Sequence, residues 1–243
     1  MTGIALQIEA AGTLMAVTVP EGASLLAAVQ AAGVALPVLC HLEGLTPVGA
    51  CRLCLVAVEG VARLLPACAT PAAAGMVVHP HTPSLQEYRR LTLELFFAEG
   101  NHCCAVCVAA GGCELQDLAM AVGMDHNRLA LQGPQRQVDA SHPRFVFDPN
   151  RCILCSRCVR SCAEIEGAHV WDVAERGSQC HLVAGLDQPW GEVEACTACG
   201  MCVAVCPTGA LFAQENTVAS RTPHPQLAQQ LQQARLHPFS AAS

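Results

Sequence analysis

Seventeen of the 243 residues are cysteines, and most of them fall into short, regularly spaced groups. Thiolates are strong ligands for iron and zinc, whereas thiols pair as disulfides mainly in oxidising compartments. The N-terminal residues show no basic segment followed by an apolar run, so the sequence predicts no secretory signal. An odd number of cysteines also disfavours a closed set of disulfides. The cysteines therefore predict metal binding in a reducing, cytoplasmic environment.

Two groups in the second half of the chain have the spacing of bacterial ferredoxins that hold two 4Fe-4S clusters. The first run comprises Cys152, Cys155, Cys158 and Cys162. The second run comprises Cys196, Cys199, Cys202 and Cys206, followed by Pro207. In such pairs the fourth cysteine of each run ligates the other cluster. The predicted ligand sets are therefore Cys152, Cys155, Cys158 and Cys206 for one cluster, and Cys162, Cys196, Cys199 and Cys202 for the other.

The first group along the chain predicts a 2Fe-2S cluster. Its members are Cys40, Cys51, Cys54 and Cys68. A long loop commonly supplies three ligands of such a cluster, and a later strand supplies the fourth. Four cysteines also suit tetrahedral zinc, which is the alternative for this group, but zinc sites usually show two close pairs.

Another group lies between these regions and consists of His102, Cys104, Cys107 and Cys113. Three closely spaced cysteines can hold three irons of a 4Fe-4S cluster, and the fourth iron needs a nearby ligand. His102 is the favoured candidate, although Cys103 competes for the same position. Cys103 and Cys180 are left without an assigned role and are interpreted as packing residues.

Composition restricts the function further. The net charge is −7, and the 13 basic residues, all arginine, form no cluster that would bind nucleic acid. Nucleotide-binding glycine motifs and a Ser/His/Asp signature are absent from the sequence, so no catalytic residue is predicted. The uncharged run 22–42 is interrupted by polar residues, glycine and proline, and it predicts a short buried helix followed by a cluster loop rather than a membrane span.

The hydrophobic pattern predicts an α+β chain of three domains and a tail. Residues 1–82 are expected to form a 2Fe-2S ferredoxin-like domain of the β-grasp type, with hairpins at Gly12 and at Glu59-Gly60. Residues 83–138 are expected to form a small helical domain around the His102 group, and residues 139–215 a two-cluster ferredoxin domain. The tail, 216–243, contains a predicted helix from Gln226 to Leu236.

Two helices are predicted in the helical domain. The first runs from Ser84 to about Glu99, and the second from Glu114 to Val122. The apolar residues of the first helix are expected to share one face. They are Leu85, Tyr88, Leu91, Leu95 and Phe96.

The order of these groups, together with the segment Asn101–Leu118 (NHCCAVCVAAGGCELQDL), resembles the small diaphorase subunit of NAD-reducing nickel-iron hydrogenases. The array is also similar to the N-terminal part of the large iron-sulfur subunit of respiratory complex I and of iron-only hydrogenases. It is similar as well to subunits of NAD-dependent formate dehydrogenases. Complex I chains place their histidine ligand where this sequence has Gly100, whereas His102 matches the hydrogenase diaphorase family. Only 37 residues follow Cys206, which also favours that family.

The resemblance implies a non-catalytic electron-relay subunit of a hydrogen:NAD+ oxidoreductase. Hydrogen would be oxidised at a nickel-iron site in the hydrogenase small and large subunits. Single electrons would then pass through this chain to FMN on the large diaphorase subunit, which reduces NAD by hydride transfer. The alternative is the equivalent subunit of a formate dehydrogenase or of a complex I-like NADH dehydrogenase. A zinc-stapled interaction module without redox activity is a third hypothesis.

Overall fold

A computed structural model of the chain describes residues 3–133 and 135–221, together with positions 226 and 229. These residues form two compact units, one of residues 3–41 and 47–93 and the other of residues 42–46 and 94–221. Both units mix helices and strands, which confirms the predicted α+β class. The finer division into three domains and a tail, with boundaries after residues 82, 138 and 215, stays a prediction.

The first unit is built on a five-stranded sheet with the strand order β2-β1-β5-β3-β4. Its elements are β1 (Gly3–Ala10), β2 (Thr13–Pro20), α1 (Leu25–Ala31), β3 (Leu55–Val58), β4 (Val61–Pro66) and β5 (Val77–His79). Both predicted hairpins are confirmed, because β1 pairs antiparallel with β2, and β3 with β4. Strand β5 runs parallel to β1 and antiparallel to β3, so it joins the two hairpins into one sheet.

Helix α1 covers one face of this sheet and begins where the sequence predicts it. Ser24 caps the helix, because its hydroxyl accepts a hydrogen bond from the backbone N–H of Ala27 at 3.2 Å. The helix buries Leu25, Leu26 and Val29 against Leu6 and Ile8 of β1 in one apolar core. Among the residues that the structure describes, every helix is too short or too polar to cross a membrane.

Helix α2 (Pro83–Glu99) confirms the predicted helix, but it buries a different face. Tyr88, Leu91 and Leu95 are exposed, whereas Leu85 and Leu93 are buried. The interior face also carries two buried charged residues, Arg89 and Glu94.

Hydrogen bonding explains this reversal. The guanidinium of Arg89 donates to the backbone carbonyls of Leu55 (3.0 Å) and Pro80 (2.7 Å). The fully buried carboxylate of Glu94 accepts a hydrogen bond from Arg128 Nε at 2.7 Å. Charged groups with such partners can be buried without a large loss of stability, and hydropathy periodicity does not register these partners.

The second unit contains short elements connected by turns that carry the cysteines. They are α3 (Glu114–Ala121), β6 (Phe145–Phe147), α4 (Arg157–Arg160), β7 (Trp171–Ala174), β8 (His181–Ala184), α5 (Met201–Val205) and β9 (Leu211–Ala213). Two antiparallel pairs, β6 with β9 and β7 with β8, frame the two helices that hold the ferredoxin-like cysteine runs. A π-helical segment, Ser161–Glu166, continues directly from α4.

Aromatic rings and cysteines share the core of this unit. Phe145, Phe147, Trp171 and Trp190 pack in one cluster with cysteines of both ferredoxin-like runs. The second predicted helix of the helical region is confirmed as α3. Of the predicted C-terminal helix, Gln226 and Gln229 are helical, and the remainder, to Leu236, lies outside the described residues.

Candidate iron-sulfur sites

The first unit brings together all four cysteines of the N-terminal cysteine group, which are Cys40, Cys51, Cys54 and Cys68. All four are buried. The sulfur atoms of Cys54 and Cys68 lie 3.4 Å apart without a disulfide bond. Two thiolates on one tetrahedral metal atom, with metal–sulfur bonds of about 2.3 Å, have their sulfurs about 3.8 Å apart. The Cys54–Cys68 spacing is therefore close to that of two ligands on a single iron.

The chain shapes this group through a loop before β3 and a short turn after β4. Cys51 and Cys54 lie at the end of the loop, and Cys68 lies in the 3-10 turn Ala67–Ala69 that follows β4. The left-handed backbone of Gly49 (φ +62°) turns the loop beside Pro66.

Electrostatics of the N-terminal cysteine group favour a bound cation. Hydrogen bonds from the Cys51 and Cys68 side chains lower the pKa of Cys40, and the same bonds raise the pKa of both donors. A hydrogen bond from Cys68 lowers the pKa of Cys54 to about 7. Four closely packed thiols cannot all ionise without positive charge nearby, and metal binding supplies that charge as the protons leave.

The second unit has three cavities, and each is lined by one of the four-residue sets predicted from the sequence. We call them the His102 cavity, the Cys152 cavity and the Cys162 cavity. They enclose about 320, 390 and 310 Å³ of space free of protein atoms, part of which is open to solvent. Three cavities of similar size, each lined by four potential iron ligands, fit three clusters of one type.

Both ferredoxin-like runs contribute to both of their cavities, in the crossed arrangement that the spacing predicts. The Cys152 cavity is lined by the set Cys152, Cys155, Cys158 and Cys206. The Cys162 cavity is lined by the set Cys162, Cys196, Cys199 and Cys202. Helix α4 carries Cys158 and α5 carries Cys202, so each helix supports one ligand while the turn after it supplies a ligand to the other cavity.

Burial alone disfavours thiolates at these sites. Desolvation raises the pKa of Cys155 to about 12 and raises the pKa of Cys158 further. It also raises the pKa of Cys202. A buried thiolate becomes stable only where hydrogen bonds or a metal compensate for lost hydration, so these side chains have the character of metal ligands rather than of exposed redox thiols.

The His102 cavity is lined by His102, Cys104, Cys107 and Cys113, together with Arg151, Thr208 and Gly209. The imidazole of His102 forms a hydrogen bond with the backbone carbonyl of Phe96. Its Nε2 atom is buried and has no partner among the described residues, so the bond is made by Nδ1. A neutral ring that donates from Nδ1 has its lone pair on Nε2, which is the form that binds metals.

Burial keeps this imidazole neutral. Desolvation, with a smaller contribution from the nearby Arg151 guanidinium, lowers the pKa of His102 to about 4. An unpaired nitrogen in a cavity with three cysteines is otherwise costly, because a buried polar atom without a hydrogen bond loses the solvation it had in water. The His102 cavity therefore fits a cluster with one nitrogen and three sulfur ligands.

Two glycines leave room for these ligands. A Cβ atom on Gly100 would lie 2.5 Å from Nε2 of His102, and a Cβ atom on Gly209 would lie 2.6 Å from the sulfur of Cys107. Any larger residue at position 100 would occupy the space that the imidazole takes. A histidine at 100, as in complex I, and the observed position of His102 therefore exclude each other.

Cys103 and Cys180, which the sequence leaves unassigned, do not line any of the three cavities. Cys103 is exposed, although it is next in sequence to Cys104. Cys180 is half-buried and lines a separate, more polar pocket together with Cys152.

Several residues at the cavities have no sequence signal that predicts them. His142 and Trp190 contact the sulfur of Cys196, and Arg151 lines the His102 cavity. Only the position of Arg151, directly before Cys152, could have drawn attention to it. His142 lies 54 positions from Cys196, and no spacing rule connects the two.

Comparison with known proteins agrees with this assembly of sites. A family described as the 2Fe-2S iron-sulfur cluster binding domain matches residues 14–83. The NADH-ubiquinone oxidoreductase-G iron-sulfur binding region matches residues 89–128. The ferredoxin-like domain of NADH-quinone oxidoreductase subunit 3 matches residues 143–212. The chain therefore has an N-terminal 2Fe-2S domain and a ferredoxin-like C-terminal domain.

The chain is 31% identical over 201 residues to the gamma subunit of the NAD-reducing hydrogenase HoxS of Cupriavidus necator, an alignment that covers 80% of this chain and 82% of its relative. This chain belongs to the family of iron-sulfur subunits of NAD-reducing hydrogenases. A crystal structure of NAD+-reducing NiFe-hydrogenase in the H2-reduced state contains a chain of the same fold, with a TM-score of 0.79 and 34% identity. The match covers 94% of this chain and 98% of that one. The resemblance seen in the sequence is confirmed.

Longer proteins contain the same module. An NADH-quinone oxidoreductase component of Rhizobium meliloti, its second G-type polypeptide, is 40% identical over 198 residues, and the alignment covers 80% of this chain but 22% of that protein. The alpha subunit of an NADPH-Fe(3+) oxidoreductase of Geobacter sulfurreducens is 35% identical, with 82% and 23% covered. The chain thus spans less than a quarter of the length of these relatives, whereas it spans most of the hydrogenase polypeptide.

Proposed function

We propose that this chain is the electron-relay subunit of a cytoplasmic NAD-reducing nickel-iron hydrogenase. It would hold one 2Fe-2S cluster in the N-terminal cysteine group and one 4Fe-4S cluster in each of the three cavities. Its partners would be the hydrogenase small and large subunits, which hold the nickel-iron site, and the large diaphorase subunit, which binds FMN and NAD. An iron-sulfur cluster, when bound, accepts and releases one electron at a time.

The observation that carries this proposal is the match between sets and cavities. Each of the three sets predicted from spacing lines a cavity of its own, and Cys103 and Cys180 do not. A site for substrate chemistry would combine a nucleophile, a general base and room for a substrate. The polar residues that face these three cavities are instead potential ligands or hydrogen-bond donors, as expected of a protein that moves electrons only.

The cavity walls suggest the path between the sites. Thr208 lines both the His102 cavity and the Cys152 cavity, and the sulfur of Cys206 lies 3.3 Å from the Thr208 carbonyl. The backbone N–H of Glu114, next to Cys113, donates to the carbonyl of Pro207 at 3.0 Å. The segment 206–209 is thus a thin wall common to both cavities, and an electron exchanged between them would cross it.

The Cys162 cavity is the most accessible of the three. Cys199 is exposed and Cys196 is half-buried, whereas Cys155 and Cys158 of the Cys152 cavity are buried. An exposed ligand shortens the distance to a docked protein. We therefore propose that the Cys162 cavity exchanges electrons with a partner and that the Cys152 cavity connects it with the His102 cavity.

Metal and sulfide analysis of the chain, purified anaerobically with its partners, tests the proposal. One two-iron and three four-iron clusters require about 14 irons per chain, with an equal amount of acid-labile sulfide. Nickel should be present in the active complex. Stoichiometric zinc with little iron would support the structural alternative, and molybdenum or tungsten in place of nickel would support a formate dehydrogenase.

The ligand at the fourth position of the His102 cavity needs its own test. His102→Cys should retain a 4Fe-4S cluster with a lower reduction potential, because a thiolate adds negative charge where the imidazole is neutral. Cys103→Ser should leave the EPR spectrum unchanged, because Cys103 does not face the cavity. Loss of a cluster in Cys103→Ser would assign the ligand to the cysteine instead.

A further inference from the structure

Two side-chain N–H groups point to one sulfur atom of the Cys162 cavity. The indole Nε1 of Trp190 donates a hydrogen bond to the sulfur of Cys196 at 3.3 Å. Nε2 of His142 lies 3.8 Å from the same sulfur. Both rings are buried, and Trp190 is only 1% exposed, so neither N–H can turn to bulk water.

Backbone hydrogen bonds decide which nitrogen of His142 carries the proton. Nδ1 of His142 accepts from the backbone N–H groups of Arg144 (3.1 Å) and Phe145 (3.2 Å). An atom that accepts two hydrogen bonds carries no proton itself, so the proton of the neutral ring lies on Nε2. That proton faces Cys196.

The other tryptophan of the chain has the same role at a second ligand. The chain has two tryptophans, and the side chain of Trp171 forms a hydrogen bond with Cys202, which opposes the effect of burial on that thiol. The backbone N–H of Val170 donates to the sulfur of Cys162 at 3.3 Å. Three of the four cysteines at this cavity thus receive N–H donors.

Packing holds these donors in position. The ring of His142 stacks on Phe145 with a centroid distance of 5.0 Å and lies 4.7 Å from the ring of Trp190. Trp171 contacts Trp190 edge to face at 4.8 Å. Asp139 fixes the backbone of Trp190 by accepting its N–H at 2.7 Å. Donors that are already oriented need no rearrangement when the charge on the sulfur changes.

The Cys152 cavity has walls of a different kind. Its lining includes the aliphatic residues Ile153, Leu154, Val173, Leu182 and Leu211, and no tryptophan or histidine. The tryptophans are therefore confined to one of the two ferredoxin-like cavities, so their removal should affect one cluster only.

We propose that Trp171, Trp190 and His142 raise the reduction potential of the cluster held at the Cys162 cavity. This inference rests on the proposed function. Reduction adds one electron, supplied by the preceding donor of the relay, and increases the negative charge on the cluster and its thiolates without making or breaking a covalent bond. N–H groups directed at the sulfurs stabilise that extra charge, which is how hydrogen bonding raises cluster potentials. An electron is therefore held more firmly at the exposed end of the relay.

Two phenylalanine variants of the full complex test the proposal. Trp190→Phe, alone and combined with Trp171→Phe, removes the N–H donors but keeps a buried aromatic ring. In redox titrations followed by EPR, we expect the double variant to change the ratio of reduced to oxidised cluster at a fixed potential at least tenfold. The midpoint of one cluster would fall by about 59 mV or more for a one-electron couple. The control is Phe147→Leu, which alters packing in the same core without removing an N–H group.

A measurement on the unmodified chain is independent of any effect on folding. Tryptophan labelled with 15N in the indole ring should produce a nitrogen hyperfine coupling in pulsed EPR of the reduced cluster. Absence of that coupling, or an unchanged midpoint in a double variant with full iron content, would overturn this inference alone. A wild-type complex without the expected iron would overturn the proposed function instead.

Discussion

Gly100→Ala is expected to remove the imidazole ligand from the His102 cavity while leaving every ligand residue in place. The new Cβ atom would lie 2.5 Å from Nε2 and 2.9 Å from Cδ2 of His102, whereas ordinary contacts begin at 3.4 Å. The ring would have to retreat by about 0.9 Å, which is nearly half of a metal–nitrogen bond of about 2.0 Å. The same Cβ would meet the backbone carbonyl of Asn150 at 2.9 Å, so a shift of position 100 does not relieve the contact.

The cost of such overpacking is about 1–3 kcal/mol. Because each 1.36 kcal/mol is a factor of ten, the form with an intact nitrogen ligand becomes less favourable by about 5- to 150-fold. Gly100 itself is not in the left-handed region of the backbone, so alanine introduces no conformational strain of its own. The whole effect should therefore appear at the cavity.

Iron content and EPR of the anaerobically purified variant measure this effect. Loss of the entire cluster would lower the iron content from about 14 to about 10 atoms per chain, and loss of the histidine-bound iron alone would lower it to about 13. Gly33→Ala is the matched control, because Gly33 has a φ of +74° and open space around it. That control should lower the melting temperature through backbone strain without affecting iron. Full iron and an unchanged spectrum in Gly100→Ala would refute the assignment of His102 as a ligand.

Three more predictions concern charged side chains. Arg151→Gln should lower the midpoint potential of the cluster at the His102 cavity by roughly 59 mV in EPR titrations, because a buried guanidinium nitrogen without a partner in the described chain lines that cavity; no shift would exclude this role. The hydrogen bond with Glu9 raises the pKa of His79, so its stabilisation of about 0.5 kcal/mol is complete below about pH 6.5 and lost as the pH rises through the higher folded pKa. Melting temperatures of His79→Gln should therefore depend less on pH than those of the wild type, and an equal dependence would contradict this. Glu114→Gln should destabilise the full chain to denaturant by about 2 kcal/mol, because Glu114 pairs with Arg157 at 2.7 Å and Arg157 is only 2% exposed; an unchanged midpoint would show that the pair contributes little.

Local sequence was sufficient for the hairpins, the helix starts and the grouping of the cysteines. The turn at Gly12 and the cap at Ser24 depend on neighbouring residues only, and both were predicted. The crossed sets of the ferredoxin-like runs were also predictable. A C-x2-C-x2-C-x3-C spacing places its first three sulfurs together and directs the fourth away, because the last one lies on the helical segment that follows.

Contacts between residues far apart in the chain were not predictable. The buried face of α2 carries Arg89 and Glu94, since each finds its partners at distant positions in the sequence. The donors around Cys196 show the same limit, because His142 approaches it from 54 positions away. Spacing determined which residues can hold metal. Only the tertiary structure decided which nitrogens face the sulfurs, because a hydrogen bond depends on distances of a few ångströms that the linear order of residues does not contain.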